Sequence, residues 1–211
     1  GMLGDEITIA EVFQNAGYAT GAFGKWHLGD YGEYLPTNQG FDYFYGSHHV
    51  NDMKPFYHVT ETDGEWEIVH STKDLKDQSM ATKWIHDEIT QWVTDTVTNS
   101  DEPFFAYYAS PWPHGPVYAG DDFDGTTGMG TYVDCVTEFD HYLGILFDEM
   151  EKLGVLDDTI IIFTSDNGPA LEGSVGDLRG GKYLAYEGGQ IGFNCFNSKI
   201  KFTDIYYGKS D

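Results

Sequence analysis

Four places in the chain set reactive residue types at spacings that let them act together. Lys25 and His27 lie two apart, just past Ala19–Phe23, which reads as a short strand. On an extended segment residues two apart point the same way, so an ammonium and an imidazole would face one pocket. A fixed cation beside an imidazole suits an oxyanion substrate and a proton-transfer step. A surface lysine beside a hydrogen-bonded histidine fits the same letters. Asp166 and Asn167 follow the apolar run Thr159–Thr164 and offer a carboxylate and an amide oxygen. These are hard ligands suited to Ca²⁺ or Mg²⁺, while Asn167-Gly168 after a strand also makes an ordinary turn. His114 stands between Pro113 and Gly115-Pro116, in a loop that the prolines stiffen. Lys182 follows Arg179-Gly180-Gly181, where glycine lets a backbone approach a ligand closely. For the last two, plain solvated loop positions remain open.

The elements that must position these residues alternate between helix and buried strand. Thr8-Ile9-Ala10-Glu11 is a capping-box pattern that opens a short helix, and Gly17 ends it. From Asp30 to about Ser71 the chain reads as loop, with weak strand signals at Phe56–Val59 and Glu65–Val69. Met80, Trp84, Ile85, Ile89, Trp92 and Val93 recur at helical spacing and predict a helix over Lys76–Thr98. Phe104–Tyr108 is a strand of the fully buried kind. Tyr132, Val136, Phe139, Leu143, Leu146, Met150 and Leu153 predict a second long helix, stopped by Gly154. Thr159–Thr164 predicts another strand. The expected class is therefore α/β, a mostly parallel sheet flanked by helices. In such sheets ligands collect at the loops leaving the carboxyl ends of strands, and three of the four places follow a strand.

Composition removes several functions. The chain of 211 residues carries 35 acids against 11 bases, a net charge of −24, without a Lys/Arg cluster. A nucleic-acid backbone would be repelled. No apolar run is long enough to span a bilayer, and no basic start leads into an apolar stretch as in a signal or transit peptide. Cys135 and Cys195 make neither a disulfide framework nor a CxxC site. With 40% hydrophobic and 16% aromatic residues, the chain can fill a core. Tyr43, Tyr45, Trp66 and Trp112 could instead stack on sugars, the basis of a non-catalytic glycan-binding reading.

Taken in order, the segments resemble one family. Gly24-Lys-Trp-His-Leu-Gly29, Pro36-Thr-Asn-Gln-Gly-Phe-Asp-Tyr-Phe-Tyr-Gly46, Pro103-Phe-Phe-Ala-Tyr107, Pro113-His-Gly-Pro116, Phe163-Thr-Ser-Asp-Asn-Gly168 and Gly181-Lys182 with Tyr186-Glu-Gly-Gly189 resemble the sulfatases of the alkaline-phosphatase-like superfamily. The resemblance implies an alkaline-phosphatase-like fold, hydrolysis of a sulfate ester on a small molecule or glycan, and an exported protein, periplasmic or secreted. By it, Lys25 and His27 would contact the nucleophile and the sulfate. His114 and Lys182 would bind the sulfate or help the leaving alcohol depart. Asp166 and Asn167 would hold a divalent cation, usually Ca²⁺. A phosphodiesterase or phosphonate monoester hydrolase of the same superfamily would share this clamp.

The departures set further expectations. The family's nucleophile is a formylglycine made from the first residue of a Cys/Ser-x-Pro/Ala-x-Arg motif. Arg179 is the chain's one arginine, and Val175 occupies the position four residues before it. The family's early Asp-Asp metal pair is missing too: Asp121-Asp122 and Asp157-Asp158 fall in the wrong places. Residues 1–189 thus read as the central part of a sulfatase-type catalytic domain, incomplete at both ends, with 190–211 a divergent tail. These residues are expected to be inactive as they stand, for lack of a formylglycine.

Overall fold

The computed structural model describes residues 1–166, 168 and 173. The chain divides into two compact units, Gly1–Leu153 and Gly154–Asp211. The first holds a five-stranded sheet of β1 (Ala19–Lys25), β2 (Tyr43–Ser47), β3 (Phe56–Thr62), β4 (Glu65–Thr72) and β5 (Phe104–Ala109), with the helices α1 (Ile9–Asn15), α2 (Ala81–Asn99) and α3 (Thr131–Lys152). Its strand order is β4-β3-β2-β1-β5.

The α/β class holds, and parallel pairing is confined to half the sheet. β1 runs parallel to β2 and to β5, whereas β3 pairs antiparallel with β2 and β4. The division follows the connections. Parallel neighbours need long crossovers, and the chain between β2 and β4 is too short for one. Between β3 and β4, Asp63 (φ 52°) and Gly64 (φ 76°) make a two-residue turn with both residues left-handed, the geometry that Asp-Gly favours in tight hairpins.

β1 is buried on both faces, as a central parallel strand should be. Ala22 joins Ala10 of α1, Trp26, Phe41, Phe44 and Val59 on one side. Phe23 meets Trp92 of α2 edge-on at 5.4 Å on the other. The capping box of α1 is complete: Thr8 Oγ1 accepts from the Glu11 amide at 3.0 Å, and the Thr8 amide donates to Glu11 Oε2 at 2.7 Å. The long helices fall close to their predicted spans, with α2 starting at Ala81 behind a 3-10 turn over Leu75–Met80. The loop ahead of α3 is tied to carboxylates on its first two turns. Asp134 accepts from Gly125, Thr127 N and Thr127 Oγ1, and Glu138 accepts from Gly120 at 2.9 Å.

The strand predicted at Thr159–Thr164 does not form. A 3-10 turn over Leu156–Asp158 is followed by irregular chain, with an isolated bridge at Phe163. Ile160, Ile162 and Phe163 are exposed. An apolar run becomes a buried strand only when neighbours pair with it and cover it, and among the described residues this one has no ladder.

Candidate functional site

Three parallel strands end side by side, β1 at Lys25, β2 at Ser47 and β5 at Ala109. The chain leaves β1 on one side for β2 and returns on its other side at β5. The loop after β1 therefore sits where the strand order reverses, the position at which α/β sheets open a crevice. Gly24 is in register with both Gly46 and Ala109. A side chain on Gly24 (φ +106°) would overlap the Ala109 carbonyl oxygen, and one on Gly46 would overlap the carbonyl oxygen of Gly24. Glycine at both positions is what lets the three strand ends close up.

Pairing continues two residues past β1. The Trp26 amide donates to the Ser47 carbonyl and the His27 amide to the His48 carbonyl, each at 3.0 Å. The Trp26 indole is buried and donates to the Tyr34 carbonyl at 2.8 Å. His27 then turns left-handed, φ 60°, which non-glycine residues adopt rarely. The same-face argument for Lys25 and His27 fails here, because strand alternation requires extended backbone at both. The two are brought together by the turn instead. Burial, and then the neighbouring Lys25, His49 and His114, hold the His27 imidazole below its ordinary pKa, with Asp52 pulling the other way. His27 is thus a neutral imidazole at pH 7, able to accept a proton. Lys25, His27 and His114 share one electrostatic neighbourhood although the last lies far along the chain.

His114 is held through its backbone. Asn51, fully buried, donates its Nδ2 to the His114 carbonyl at 3.1 Å and to the Pro116 carbonyl at 3.0 Å. Gln78, equally buried, donates its Nε2 to the Asn51 carbonyl at 2.8 Å. Loop after β2, loop after β5 and the turn before α2 are thereby tied at one point. Asn51 lies in an irregular segment and Gln78 in the 3-10 turn ahead of α2, and neither belongs to the apolar pattern that marks the elements in the sequence.

His48 and His49 diverge. His49 Nε2 pairs with Asp30 Oδ2 at 3.1 Å and stays part-exposed beside His27. His48 points inward: its Nε2 meets Glu61 Oε2 at 2.8 Å, with neither side chain exposed. Glu61 Oε1 also accepts from the amide and hydroxyl of Thr37 at 2.9 and 2.6 Å. Among the aromatic candidates for sugar stacking, Tyr45 and Trp112 are core residues. Tyr43 donates its hydroxyl to Glu88 at 2.5 Å. Trp66 is exposed.

Asp166 belongs to the second unit and is exposed. Asn167 and Lys182 lie outside the described residues. Among the described residues no group of three or more His, Cys, Asp or Glu side chains is placed to hold a metal ion.

A family model described as Sulfatase matches residues 4–196. The chain is 34% identical over 207 residues to arylsulfatase A of Homo sapiens, covering 88% of this chain and 41% of that protein. It is 33% identical over 208 residues to N-acetylgalactosamine-6-sulfatase of Mus musculus, covering 90% and 39%. The chain spans about two fifths of the length of these relatives. Among solved structures it is similar to the PsFucS1 sulfatase of Pseudoalteromonas sp., with TM-score 0.72 and 26% identity over 78% of this chain and 38% of that one. It is also similar to Ps i-CgsB in complex with k-i-k-neocarrahexaose, with TM-score 0.63 and 28% identity over 80% and 41%.

Proposed function

Because the chain belongs to the sulfatase family, we propose that the loops at the ends of β1, β2 and β5 receive the sulfate group of a sulfated glycan. The observation that carries this reading is the common electrostatic neighbourhood of Lys25, His27 and His114 at the strand-order reversal. Lys25 supplies a fixed positive charge for the sulfate oxygens, and a charge already in place costs no reorganisation when the ester begins to break. His27, neutral at pH 7, takes a proton, and His114 faces the leaving alcohol. Lys182 would add a second cation to the clamp. Asp166 and Asn167 would give Ca²⁺ two of its oxygens. The glycan is suggested by the N-acetylgalactosamine-6-sulfatase relatives and by the neighbour structure that holds a neocarrahexaose.

The 211 residues contain no Cys or Ser four positions before an arginine, hence no site for a formylglycine. They bind the sulfate group without turning the ester over, since covalent transfer needs an activated nucleophile. The test is an NMR titration of the 211-residue chain with inorganic sulfate, beside an arylsulfate turnover assay after co-expression with a formylglycine-generating enzyme. The imidazole signals of His27 and His114 should move together with one dissociation constant, and turnover should equal the blank. Independent movement of the two, or no movement, would remove the shared sulfate site. Turnover lost in both Lys25→Ala and His114→Ala would overturn the assignment of binding without catalysis.

A further inference from the structure

The sulfate-binding reading leaves unused a set of rings that starts at the same place and runs outward along the β3–β4 hairpin. His49, a neighbour of His27, stands edge-on to Tyr57 with centroids 6.4 Å apart. Tyr57 is parallel to Trp66, at 6.3 Å and 7° between planes. His48 packs edge-on against Trp66 at 5.5 Å. Among the described residues Trp66 is the one exposed tryptophan, at 42%. It projects from β4, an edge strand whose residues are nearly all exposed.

Two features make this more than a stray surface aromatic. The first is rigidity. The ring that abuts Trp66 belongs to His48, which is locked by its buried contact with Glu61, itself tied to Thr37. A surface ordered in advance loses little freedom when a ligand settles on it. The second is charge. Trp66 projects from one face of β4, the exposed carboxylates of Glu65 and Glu67 lie on the other, and the chain carries a net charge of −24. An anionic group would be repelled there. An uncharged sugar ring would not, since it can lay a C–H face on the indole.

We infer that Tyr57 and Trp66 form a shelf for an unsulfated sugar unit, adjoining the sulfated unit held at Lys25, His27 and His114. The inference rests on the sulfate-binding reading for its neighbour and on the ring geometry for itself. The chain then selects a glycan by alternation of charge: one sulfated residue, then a neutral one on the aromatic side. A free sulfated monosaccharide engages only half of this surface.

Isothermal titration of the 211-residue chain separates the two halves, using inorganic sulfate, a sulfated monosaccharide, a tetrasaccharide with alternating sulfated and unsulfated units, and the same tetrasaccharide desulfated. The wild-type chain should bind the sulfated tetrasaccharide about tenfold more tightly than the monosaccharide, the gain of one aromatic stack. Trp66→Ala should erase that gain and Trp66→Phe should restore part of it, with inorganic sulfate affinity equal in all three. A gain that persists in Trp66→Ala overturns the shelf. So does a dimer in sedimentation that Trp66→Ala dissolves, which would make Trp66 a contact between copies through the β4 edge. If inorganic sulfate fails to bind, the sulfate reading falls alone. The desulfated tetrasaccharide then decides the shelf by whether it shifts the Trp66 indole signal.

Discussion

Replacing Asn51 by alanine deprives the His114 and Pro116 carbonyls of the donor they share, while the Gln78 bond to the main-chain carbonyl of residue 51 stays available. Each orphaned carbonyl, at its half-buried depth, costs about 1 kcal/mol. The small void left by the amide adds about 1 kcal/mol more. The sum, about 3 kcal/mol, corresponds in a domain of this size to a fall in Tm of roughly 6–12 °C. Because the substitution frees the loop after β5, His114 should lose its fixed place beside His27 before the sheet unfolds. Differential scanning calorimetry gives the Tm, and the imidazole spectrum of His114 at 25 °C reports the local effect. Sulfate affinity should drop together with the His114 signal. A Tm within 2 °C of wild type, with an unchanged His114 resonance, would show that the prolines hold the loop without Asn51 and would refute the reasoning.

Burial raises the Glu138 pKa from its ordinary value of 4.5 to about 7, against the opposing hydrogen bond from Gly120. Its protonated form is therefore favoured in the folded state, and the associated stability is present below about 4.5 and lost as pH rises through about 7. Glu138→Gln should raise Tm at pH 8 and change it little at pH 4.5, as read by thermal unfolding across pH; a pH-independent effect would contradict this. Gly24→Ala places a methyl group onto the Ala109 carbonyl oxygen at φ +106°, costing about 4 kcal/mol or more. The expected result is insoluble or unfolded protein by circular dichroism, and a folded variant with wild-type Tm would disprove the close strand approach. Lys25→Ala removes a charge that lowers the His27 pKa, so the NMR titration midpoint of His27 should rise; an unmoved midpoint would separate the two side chains.

Local signals in the sequence were reliable where local physics decides. The capping box at Thr8 and Glu11 folds as its pattern requires. Helix α3 forms over its predicted span, although its first half buries Asp134, Cys135 and Glu138 and leaves Val136 exposed. Strand β5 forms but is not fully buried, being half-buried with Tyr107 exposed. The Asp63-Gly64 pair carried a hairpin signal between two weak strand signals, and the surrounding Gly, Tyr and His masked both it and β2. Thr159–Thr164 misled in the opposite direction, since an isoleucine run states a preference for burial and cannot state what covers it. At the site, Lys25 and His114 were visible as residue types placed after strands. The left-handed turn at His27 was invisible, because alternation presumes an extended backbone. Asn51 and Gln78 were invisible for a different reason: a buried amide tying three loops depends on chain segments that only the finished fold brings together.

The carboxyl end of β1 sets Lys25 on a chain whose net charge is −24. Seen from tens of ångströms away, an anionic glycan meets only the summed charge of −24 and is turned back; within a few ångströms it meets the Lys25 ammonium. These two fields have different ranges, and dissolved ions act on them unequally, since screening reaches down to about 8 Å at physiological ionic strength. Moderate salt therefore weakens the long-range repulsion more than the short-range attraction. Encounter with a sulfated ligand would quicken as salt is first added, opposite to the slowing seen when unlike net charges steer an association. A highly acidic surface of this kind suits a protein that works in saline surroundings.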